Sequence, residues 1–352
     1  MKSYQFAEYG GTLTEYDNPT PTPEGDQVLV RVEACGVCHS DIHIWEGFFD
    51  MGGGNKMELS RAHQLPFTLG HEIVGEVVAV GDSAAGVAVG DKRVVYPWIG
   101  CGTCPVCQSG EEHLCARPSN LGVNAAGGYA DHVLVSHPRH LHAYGDIAPA
   151  LACTYACSGL TAYSALMKAK SRAENRSLLI IGAGGVGMAG LAIAQTIFDK
   201  CEIIVADIDE AKLDAAKAAG AAHVINSTAP DAAKQVLKLT GGGAAAAIDF
   251  VGAAASGQFG VGTIAKGGTL VVVGLFGGAL TVPMPLFPLK AMSIQGSYVG
   301  SPQEMDDLMA LVRAGKIQPI PVEARALGLA DQTVRDLRDG KVVGRIVLEP
   351  AF

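Results

Sequence analysis

The stretch from Leu178 to Phe198, LLIIGAGGVGMAGLAIAQTIF, decides the fold of this chain. It begins as an apolar strand, passes through a G-x-G-x-x-G motif at Gly182, Gly184 and Gly187, and continues as a helix. Glycines at these positions allow a tight turn and let a pyrophosphate approach the N–H groups at a helix N-terminus. The stretch is uncharged and long enough to span a bilayer, but its five glycines and strand-like start favour a buried parallel strand.

The chain after this motif alternates between short apolar strands and helices. IIVAD (203–207) precedes DEAKLDAAKAAG (209–220), and AAIDFVG and TLVVVG follow as further strands. Such alternation predicts a doubly wound parallel sheet. Asp207 ends the strand after the glycine motif, where a carboxylate binds the ribose hydroxyls of NAD and repels the extra phosphate of NADP. Lys212, one helical turn further on, could also reach the ribose.

The part of the chain before the motif has a different pattern. VLVRVEAC (28–35), IVGEVVAVG (73–81) and KRVVYPW (92–98) are rich in β-branched residues and are separated by glycines and prolines. This pattern predicts a compact β domain. A chain of 352 residues with 49% hydrophobic residues is long enough for two such cores.

Charge and the N-terminus limit the function classes. The formal net charge of −9 leaves no basic footprint for nucleic acid, so we expect no nucleic-acid partner. The start MKSYQFAEYGG lacks the basic and apolar segments of an export signal, so we expect a cytoplasmic protein without a membrane partner.

Four cysteines lie close together in GCGTCPVCQSGEEHLC. Their spacing is C-x2-C-x2-C-x7-C, formed by Cys101, Cys104, Cys107 and Cys115. Four thiolates in one short loop suit the closed tetrahedral coordination of a structural zinc ion. Disulfides and an iron–sulfur cluster are the alternatives, but the crowded thiols and the missing export signal disfavour disulfides. We therefore predict a structural zinc site.

A second metal site is indicated by GVCHSDIH (36–43) and GHE (70–72). A thiolate, an imidazole and one further ligand form an open zinc site whose fourth position is left for water or substrate. Cys38 and His71 are candidates for two of these ligands. ACTYACSGLTAY offers Cys153 and Cys157 for the third, and the spacing does not choose between them.

The motifs GVCHSD, GHE, the four-cysteine loop, CSGLTAY, GAGGVG and VVGRIVLE occur in an order that resembles the zinc-dependent medium-chain alcohol dehydrogenases, in their bacterial and yeast-type branch. The resemblance covers essentially the whole chain. It implies an α/β protein with a GroES-like β catalytic domain (1–154 and 291–352) and a Rossmann NAD-binding domain (155–290). It also makes Cys157 the third ligand of the catalytic zinc and leaves Cys153 as a core residue.

The resemblance implies roles for residues around the catalytic zinc. Asp41 orients His71, and Glu72 serves as an occasional fourth ligand. Ser40 takes the proton of the substrate hydroxyl, and His43 passes it through the ribose to solvent.

The cofactors implied are two zinc ions per chain, one catalytic and one structural, and NAD. The expected NAD-binding residues are His39, Thr161, Gly182, Gly184, Gly185, Val186, Gly187, Asp207, Lys212, Val251, Val273 and Arg345. Within this set, His39 and Arg345 are expected to face the pyrophosphate, and Thr161 to lie beneath the nicotinamide.

The link between the two zinc-site motifs, residues 46–67, is longer than is usual in this branch and carries three consecutive glycines. It predicts either an enlarged lid, with Phe48 and Phe49 as apolar lining, or a plain surface excursion. Trp45 and Trp98 are the other candidates for lining the substrate pocket. A similar insertion is found in the 6-hydroxyhexanoate dehydrogenases, which this chain resembles.

The sequence thus predicts an NAD-dependent enzyme that interconverts primary alcohols and aldehydes, the alcohols being medium-chain, aromatic or omega-hydroxy. Hydride would leave a zinc-bound alkoxide. A secondary-alcohol or polyol dehydrogenase of the same superfamily is the nearest alternative, and a zinc-binding redox or nucleic-acid module without turnover is the alternative from another class. The resemblance also implies a homotetramer.

Overall fold

The structure is a computed structural model and describes residues 1–342 and 344–351. It divides into two compact units. The first contains Met1–Phe48, Glu58–Leu160 and the described chain from Val299 onwards, and the second contains Phe49–Met57 and Thr161–Tyr298.

The strands are β1 (Lys2–Phe6), β2 (Thr14–Asp17), β3 (Val28–Gly36), β4 (Phe48–Gly52), β5 (Asn55–Glu58), β6 (Phe67–Thr68), β7 (Glu72–Val80), β8 (Lys92–Val95), β9 (His132–Val135), β10 (Leu141–His142), β11 (Ser177–Ile181), β12 (Glu202–Asp207), β13 (His223–Asn226), β14 (Ala244–Asp249), β15 (Ile264–Val272), β16 (Ser293–Gly296), β17 (Val322–Ala326) and β18 (Arg345–Glu349). The helices are α1 (His39–Glu46), α2 (Pro105–Gln108), α3 (Pro149–Ala152), α4 (Ser158–Ala173), α5 (Gly185–Ile197), α6 (Glu210–Ala218), α7 (Ala232–Leu239), α8 (Ala254–Thr263), α9 (Leu286–Lys290), α10 (Pro302–Arg313) and α11 (Ala330–Arg338).

The first unit is built on a largely antiparallel sheet in the order β10-β8-β7-β3-β18-β17, with β9 also paired to β3. Strands β3 and β7 form the centre of this sheet, and both are rich in valine and mostly buried, as suits a pleated surface that packs against a core. Their side chains enter a core that includes Val30, Val32, Ile73 and Val77. The β-rich pattern of the early sequence is therefore realised in this unit.

The second unit is a six-stranded parallel sheet in the order β13-β12-β11-β14-β15-β16. This is the order of a doubly wound dinucleotide-binding sheet, in which the strand order reverses next to the first strand. The stretch 178–198 forms most of β11, the glycine turn and α5, as its pattern predicts. Among the described residues, no helix combines the length and apolar character needed to cross a membrane.

The divisions between the units differ from the expected boundaries. The expected Rossmann limit at residue 290 falls before β16, but β16 pairs with β15 and completes the parallel sheet, so the unit continues to Tyr298. At its start, the division lies at Leu160 and Thr161, inside α4, instead of at residue 155. The sequence pattern did not locate these limits. Helix α4 runs continuously through the first division, and β16, the strand before the second division, is short.

Within the insertion 46–67, strands β4 and β5 form a β-hairpin. Gly53 and Gly54 form its turn in the left-handed region, with φ of 61° and 81°. The carbonyl of Asp50 accepts from the N–H of Gly278 at 3.4 Å, and a Cβ on Gly52 would lie 2.8 Å from the backbone nitrogen of Ala279. The glycines therefore let the hairpin pack closely on residues 278–279 of the second unit.

Candidate active site

Helix α1 presents the first candidate ligand at its start. Cys38 is the N-cap residue, and its N–H donates to Asp41 Oδ2 at 2.9 Å, which fixes the first turn. Gly47, with φ of 85°, ends the helix by donating to the carbonyl of His43 at 2.9 Å. Ser40 and His43 are three residues apart on α1, so both lie on one face of the helix.

The side chains of Cys38, His71 and Cys157 converge. Their three ligand atoms lie within 4.8 Å of one another, and all three residues are buried. His71 Nδ1 lies 3.1 Å from Asp41 Oδ1, and neither of the two buried ring nitrogens has a partner with hydrogen-bond geometry among the described residues. Hydrogen bonds from the Cys157 thiol and from His71 hold the pKa of Cys38 well below its usual range despite burial. Two sulfurs and one free imidazole nitrogen form the donor set of an open zinc site.

The structure brings Cys157 into this group and leaves Cys153 outside it. Cys153 begins a short 3-10 turn, Cys153–Ala156, and its thiol donates to the carbonyl of Ala150 at 3.4 Å. Burial raises the pKa of Cys153 well above its usual value, so this thiol stays protonated in the core. The sequence spacing left both cysteines open as the third candidate ligand, and the tertiary structure brings Cys157 to the group.

The four cysteines of the loop also converge. Cys104 Sγ lies 3.4 Å from Cys107 Sγ and 3.9 Å from Cys115 Sγ, and Cys101 Sγ lies 4.0 Å from Cys107 Sγ. Four sulfurs each about 2.3 Å from a zinc ion would be separated by about 3.8 Å. None of the four forms a disulfide. The residues therefore fit a closed, four-coordinate zinc site.

Glu112 joins the start of the four-cysteine loop to His140 through its two carboxylate oxygens. Its Oε2 accepts from the N–H of Gly100 at 3.2 Å, and its Oε1 lies 3.2 Å from His140 Nε2. Burial by itself would raise the pKa of Glu112, but the hydrogen bond and charge of His140 outweigh it and lower the pKa to about 2. His142 is buried as well and contacts Asp306 at 2.8 Å. His140 and His142 are therefore both part of the buried structure of this unit.

In the second unit, the three motif glycines have three distinct surroundings. Gly182 has φ of 95° and packs on Val251, whose Cγ2 would be 2.6 Å from an added Cβ. A Cβ on Gly187 would lie 1.8 Å from the carbonyl oxygen of Gly182, so the helix start and the turn are in direct contact. A Cβ on Gly184 would meet nothing within 4 Å. The turn, the close packing and the open backbone are the three features that a pyrophosphate-binding loop needs.

Comparison with known proteins agrees with this geometry. The model of the alcohol dehydrogenase GroES-like domain matches residues 24–146, and that of the zinc-binding dehydrogenase matches residues 185–314. An NAD-dependent alcohol dehydrogenase of Sulfurisphaera tokodaii is 39% identical, over 99% of this chain and 100% of that protein. The crystal structure of the alcohol dehydrogenase of Aeropyrum pernix has a TM-score of 0.89 at 31% identity, over 99% of this chain and 100% of that one. The chain belongs to the zinc-dependent medium-chain alcohol dehydrogenase family.

A D-arabinose dehydrogenase of Sulfolobus solfataricus is also similar, with a TM-score of 0.83 at 27% identity over 99% of this chain and 100% of that one. The family assignment confirms that the chain is an oxidoreductase. It also agrees with zinc and NAD as the predicted cofactors, and the two cysteine-containing groups are candidate zinc sites.

In this alcohol dehydrogenase, Asp207 accepts a hydrogen bond from the backbone of the glycine turn at 182–187. Its Oδ2 accepts from the N–H of Ala183 at 2.6 Å, and its Oδ1 accepts from Ile208 and Asp209 at 2.8 and 3.0 Å. The carboxylate therefore sits at the carboxyl end of β12, beside the glycine turn, where the sequence predicts it. Lys212 is half-buried at the start of α6.

The other expected NAD-binding residues of this unit also lie near carboxyl ends of strands or at helix starts. Gly185 and Val186 open α5, while Val251 and Val273 follow β14 and β15. Thr161 lies in α4, and its buried Oγ1 has no hydrogen-bond partner among the described residues.

Arg345 and Glu72 form a buried pair. Arg345 is 5% exposed and its Nη2 forms an ion pair with Glu72 Oε2, and its contact with the pyrophosphate stays a prediction. The other carboxylate oxygen of Glu72 accepts from the N–H and the hydroxyl of Ser158, at 3.1 and 2.9 Å. Both oxygens of Glu72 are therefore engaged, and this structure does not place it among the ligand group. His39, by contrast, is exposed.

The two tryptophans have different environments. Trp98 is 3% exposed, and its ring centroid lies 5.4 Å from that of His71. Trp45 was expected to line the substrate pocket, and the structure contradicts this. It lies in the hydrophobic core, donates from Nε1 to the carbonyl of Gly11 at 2.6 Å, and is stacked by the guanidinium of Arg335 at 4.9 Å. Helix α1 packs against α11, and the Trp45 ring faces that helix.

Proposed function

We propose that this enzyme interconverts primary alcohols and aldehydes with NAD, with Cys38, His71 and Cys157 holding the catalytic zinc. The convergence of these three buried ligand atoms carries the proposal. Medium-chain, aromatic and omega-hydroxy alcohols are the proposed substrates.

The residues of the site prepare it for this reaction. Zinc bound there would lower the pKa of an alcohol hydroxyl, and NAD would accept the hydride. With zinc bound, the two cysteines would place negative charge on the metal side, and the Asp41 carboxylate, 3.1 Å from His71 Nδ1, would favour a proton on that nitrogen and leave Nε2 to bind. Burial of all three side chains excludes water and strengthens their electrostatic effect.

We propose that the proton leaves through α1. Ser40 Oγ accepts the proton of the alcohol hydroxyl, and His43 passes it on through the ribose to solvent. Burial lowers the pKa of His43, so its ring is neutral near pH 7 and able to accept a proton. The two side chains share one face of the helix, which supports a direct relay.

Trp98 supports an apolar substrate. Its indole lies beside His71, and its Nε1 donates to the carbonyl of Ala156 at 3.1 Å, so the ring is held in one orientation. A rigid aromatic surface next to a zinc ligand favours an alkyl or aryl chain over a polyol, whose hydroxyls would lose their hydrogen bonds there. The similar D-arabinose dehydrogenase favours the alternative, a sugar, polyol or secondary-alcohol substrate for this chain.

Steady-state formation of NADH separates these substrate classes. We expect kcat/KM for 1-hexanol, benzyl alcohol and 6-hydroxyhexanoate to exceed that for 2-propanol, sorbitol and D-arabinose by at least about tenfold. NAD should be preferred to NADP because of Asp207. A higher kcat/KM for D-arabinose or sorbitol would overturn the proposed substrate class.

Trp98 and Trp45 form a matched pair for the same assay, because each is buried and donates one indole hydrogen bond to a carbonyl. Trp98→Phe should change the ratio between hexanol and benzyl alcohol, since only Trp98 contacts a zinc ligand. Trp45→Phe should leave this ratio unchanged. Equal changes in both variants would mean that Trp98 has no special place in substrate selection.

We also propose that the protein is cytoplasmic and forms a homotetramer. β16 is the last strand of its sheet, and Met284 and Leu289 close to it are 75% and 69% exposed. Exposed apolar side chains near a free strand edge favour association with a second copy. Sedimentation equilibrium should give four times the chain mass of 36.3 kDa, and a monomer would contradict the proposal.

A further inference from the structure

The Asp41 carboxylate is buried and surrounded by hydrogen-bond donors. It is 0% exposed. Oδ2 accepts from the N–H of Cys38 at 2.9 Å and from the hydroxyl of Tyr129 at 3.2 Å. Oδ1 accepts from the N–H of Gly70 at 3.3 Å and lies 3.1 Å from His71 Nδ1. A carboxylate has about four lone-pair positions, and three hydrogen bonds together with the His71 contact surround this one.

Tyr129 is the one member of this set whose side chain has no assigned role. Cys38 and Gly70 contribute backbone groups, and His71 is a ligand, but the Tyr129 hydroxyl is supplied from a distant loop. Its backbone is fixed by hydrogen bonds to Leu69, at 2.9 Å, and from Tyr4, at 2.7 Å. The phenol thus reaches the carboxylate from a rigid position.

The Tyr129 ring is locked by its neighbour. A Cβ on Gly70 would lie only 2.4 Å from Tyr129 Cδ1, so the ring fills the space that a side chain at position 70 would need. Gly70 has φ of 95°, which also favours glycine. Because the segment of Gly70 leads directly into His71, the ring contacts the backbone that carries the ligand.

Tyr129 remains a hydrogen-bond donor over the working pH range. Burial and the charge of Asp41 raise the pKa of its phenol well above the usual value. The phenol is therefore neutral and donates to Asp41. A buried carboxylate with one donor fewer would be left with an unsatisfied lone pair, which is costly in free energy.

We infer that Tyr129 is a positioning residue for the catalytic zinc, whose hydroxyl holds the Asp41 carboxylate in the orientation that fixes His71. This inference rests on the proposed zinc site. Tyr129 touches neither metal nor substrate, and it acts only through Asp41 and His71. Removal of a group that contacts a metal ligand directly typically lowers metal affinity or activity by about 10- to 100-fold, and the loss of the Tyr129 hydroxyl would act through such a group, Asp41.

Tyr129→Phe tests the inference because it removes the hydroxyl and keeps the ring. Tyr144→Phe is the matched control: Tyr144 is 2% exposed and donates to Glu33 Oε2 at 3.3 Å in the same unit. The measurement is the rate at which a colorimetric chelator removes each of the two zinc ions from the holoenzyme. In Tyr129→Phe we expect one zinc ion to leave about 10- to 100-fold faster, with the zinc of the four-cysteine loop released at the wild-type rate. Tyr144→Phe should match the wild type for both ions.

The absorption spectrum of a cobalt-substituted enzyme gives a second measurement, and a general loss of stability would not change it. With Co²⁺ in the catalytic site, the d–d bands should shift in Tyr129→Phe and stay in place in Tyr144→Phe. Unchanged zinc release and unchanged bands in Tyr129→Phe would overturn the inference. Equal acceleration for both zinc ions, or the same effect in Tyr144→Phe, would also overturn it. A wild-type enzyme that holds zinc only in the four-cysteine loop would instead contradict the proposed function.

Discussion

Replacing Cys38 by serine should lower kcat/KM for alcohol oxidation by roughly 10³- to 10⁴-fold, because a catalytic metal ion supplies several kcal/mol of transition-state stabilisation. Zinc per chain should fall from two to one. Cys38 is buried with His71 and Cys157, and serine lacks the thiolate sulfur that zinc prefers as a ligand. The helix should survive, since the capping bond from residue 38 to Asp41 uses the backbone N–H. Steady-state kinetics and zinc analysis on the same sample check both parts.

Cys104→Ser is the control, because it also removes one cysteine from a zinc group. The loop has no open coordination position, so this variant should lose the other zinc ion and keep kcat within about threefold at 25 °C. Its Tm should fall by roughly 5–10 °C, since loss of a bound metal removes stabilisation from the folded state. Full activity in Cys38→Ser, or a larger loss of activity in Cys104→Ser, would contradict the assignment of the two sites.

Gly187→Ala should weaken NAD binding by about 100-fold, the effect expected when a binding group is displaced by about 1 Å. The added Cβ would lie 1.8 Å from the carbonyl oxygen of Gly182, so the glycine turn that we propose to bind the pyrophosphate must move. The same clash should lower the free energy of unfolding by about 1–3 kcal/mol. NADH fluorescence titration measures the affinity, and thermal unfolding measures the stability.

Gly262→Ala is the matched control in the same unit. A Cβ on Gly262, in α8, would meet nothing within 4 Å, so alanine should leave NAD affinity unchanged. It should stabilise the unit by about 0.4–1 kcal/mol through a smaller entropy of the unfolded chain. Wild-type affinity in Gly187→Ala would mean that the glycine loop does not bind the cofactor.

The sequence predicted the features that local patterns determine. The strand, turn and helix of 178–198 need only neighbouring residues, so the dinucleotide fold followed from one stretch. The four-cysteine loop carries all its ligands within a short segment, and the structure brings them together. For Cys38 and His71 the residue types and motifs were sufficient.

Long-range packing explains what the sequence did not predict. Trp45 lies on a helix that packs against α11, and no local pattern shows that Arg335 will cover its ring. Arg345 and Glu72 are 273 positions apart, yet they pair. The choice between Cys153 and Cys157 depended on a 3-10 turn. In the insertion, the glycine turn between two short strands was a hairpin signal, but three adjacent glycines also suit an irregular lid.

The central claim is that this chain holds a catalytic zinc ion between Cys38, His71 and Cys157 in addition to the zinc of the loop. An anomalous difference map from crystals, recorded at the zinc absorption edge, tests it most directly. We predict two peaks per chain, one among the four loop cysteines and one within about 2.0–2.3 Å of Cys38 Sγ, Cys157 Sγ and His71 Nε2. A single peak in the loop, with none beside His71, would contradict this account.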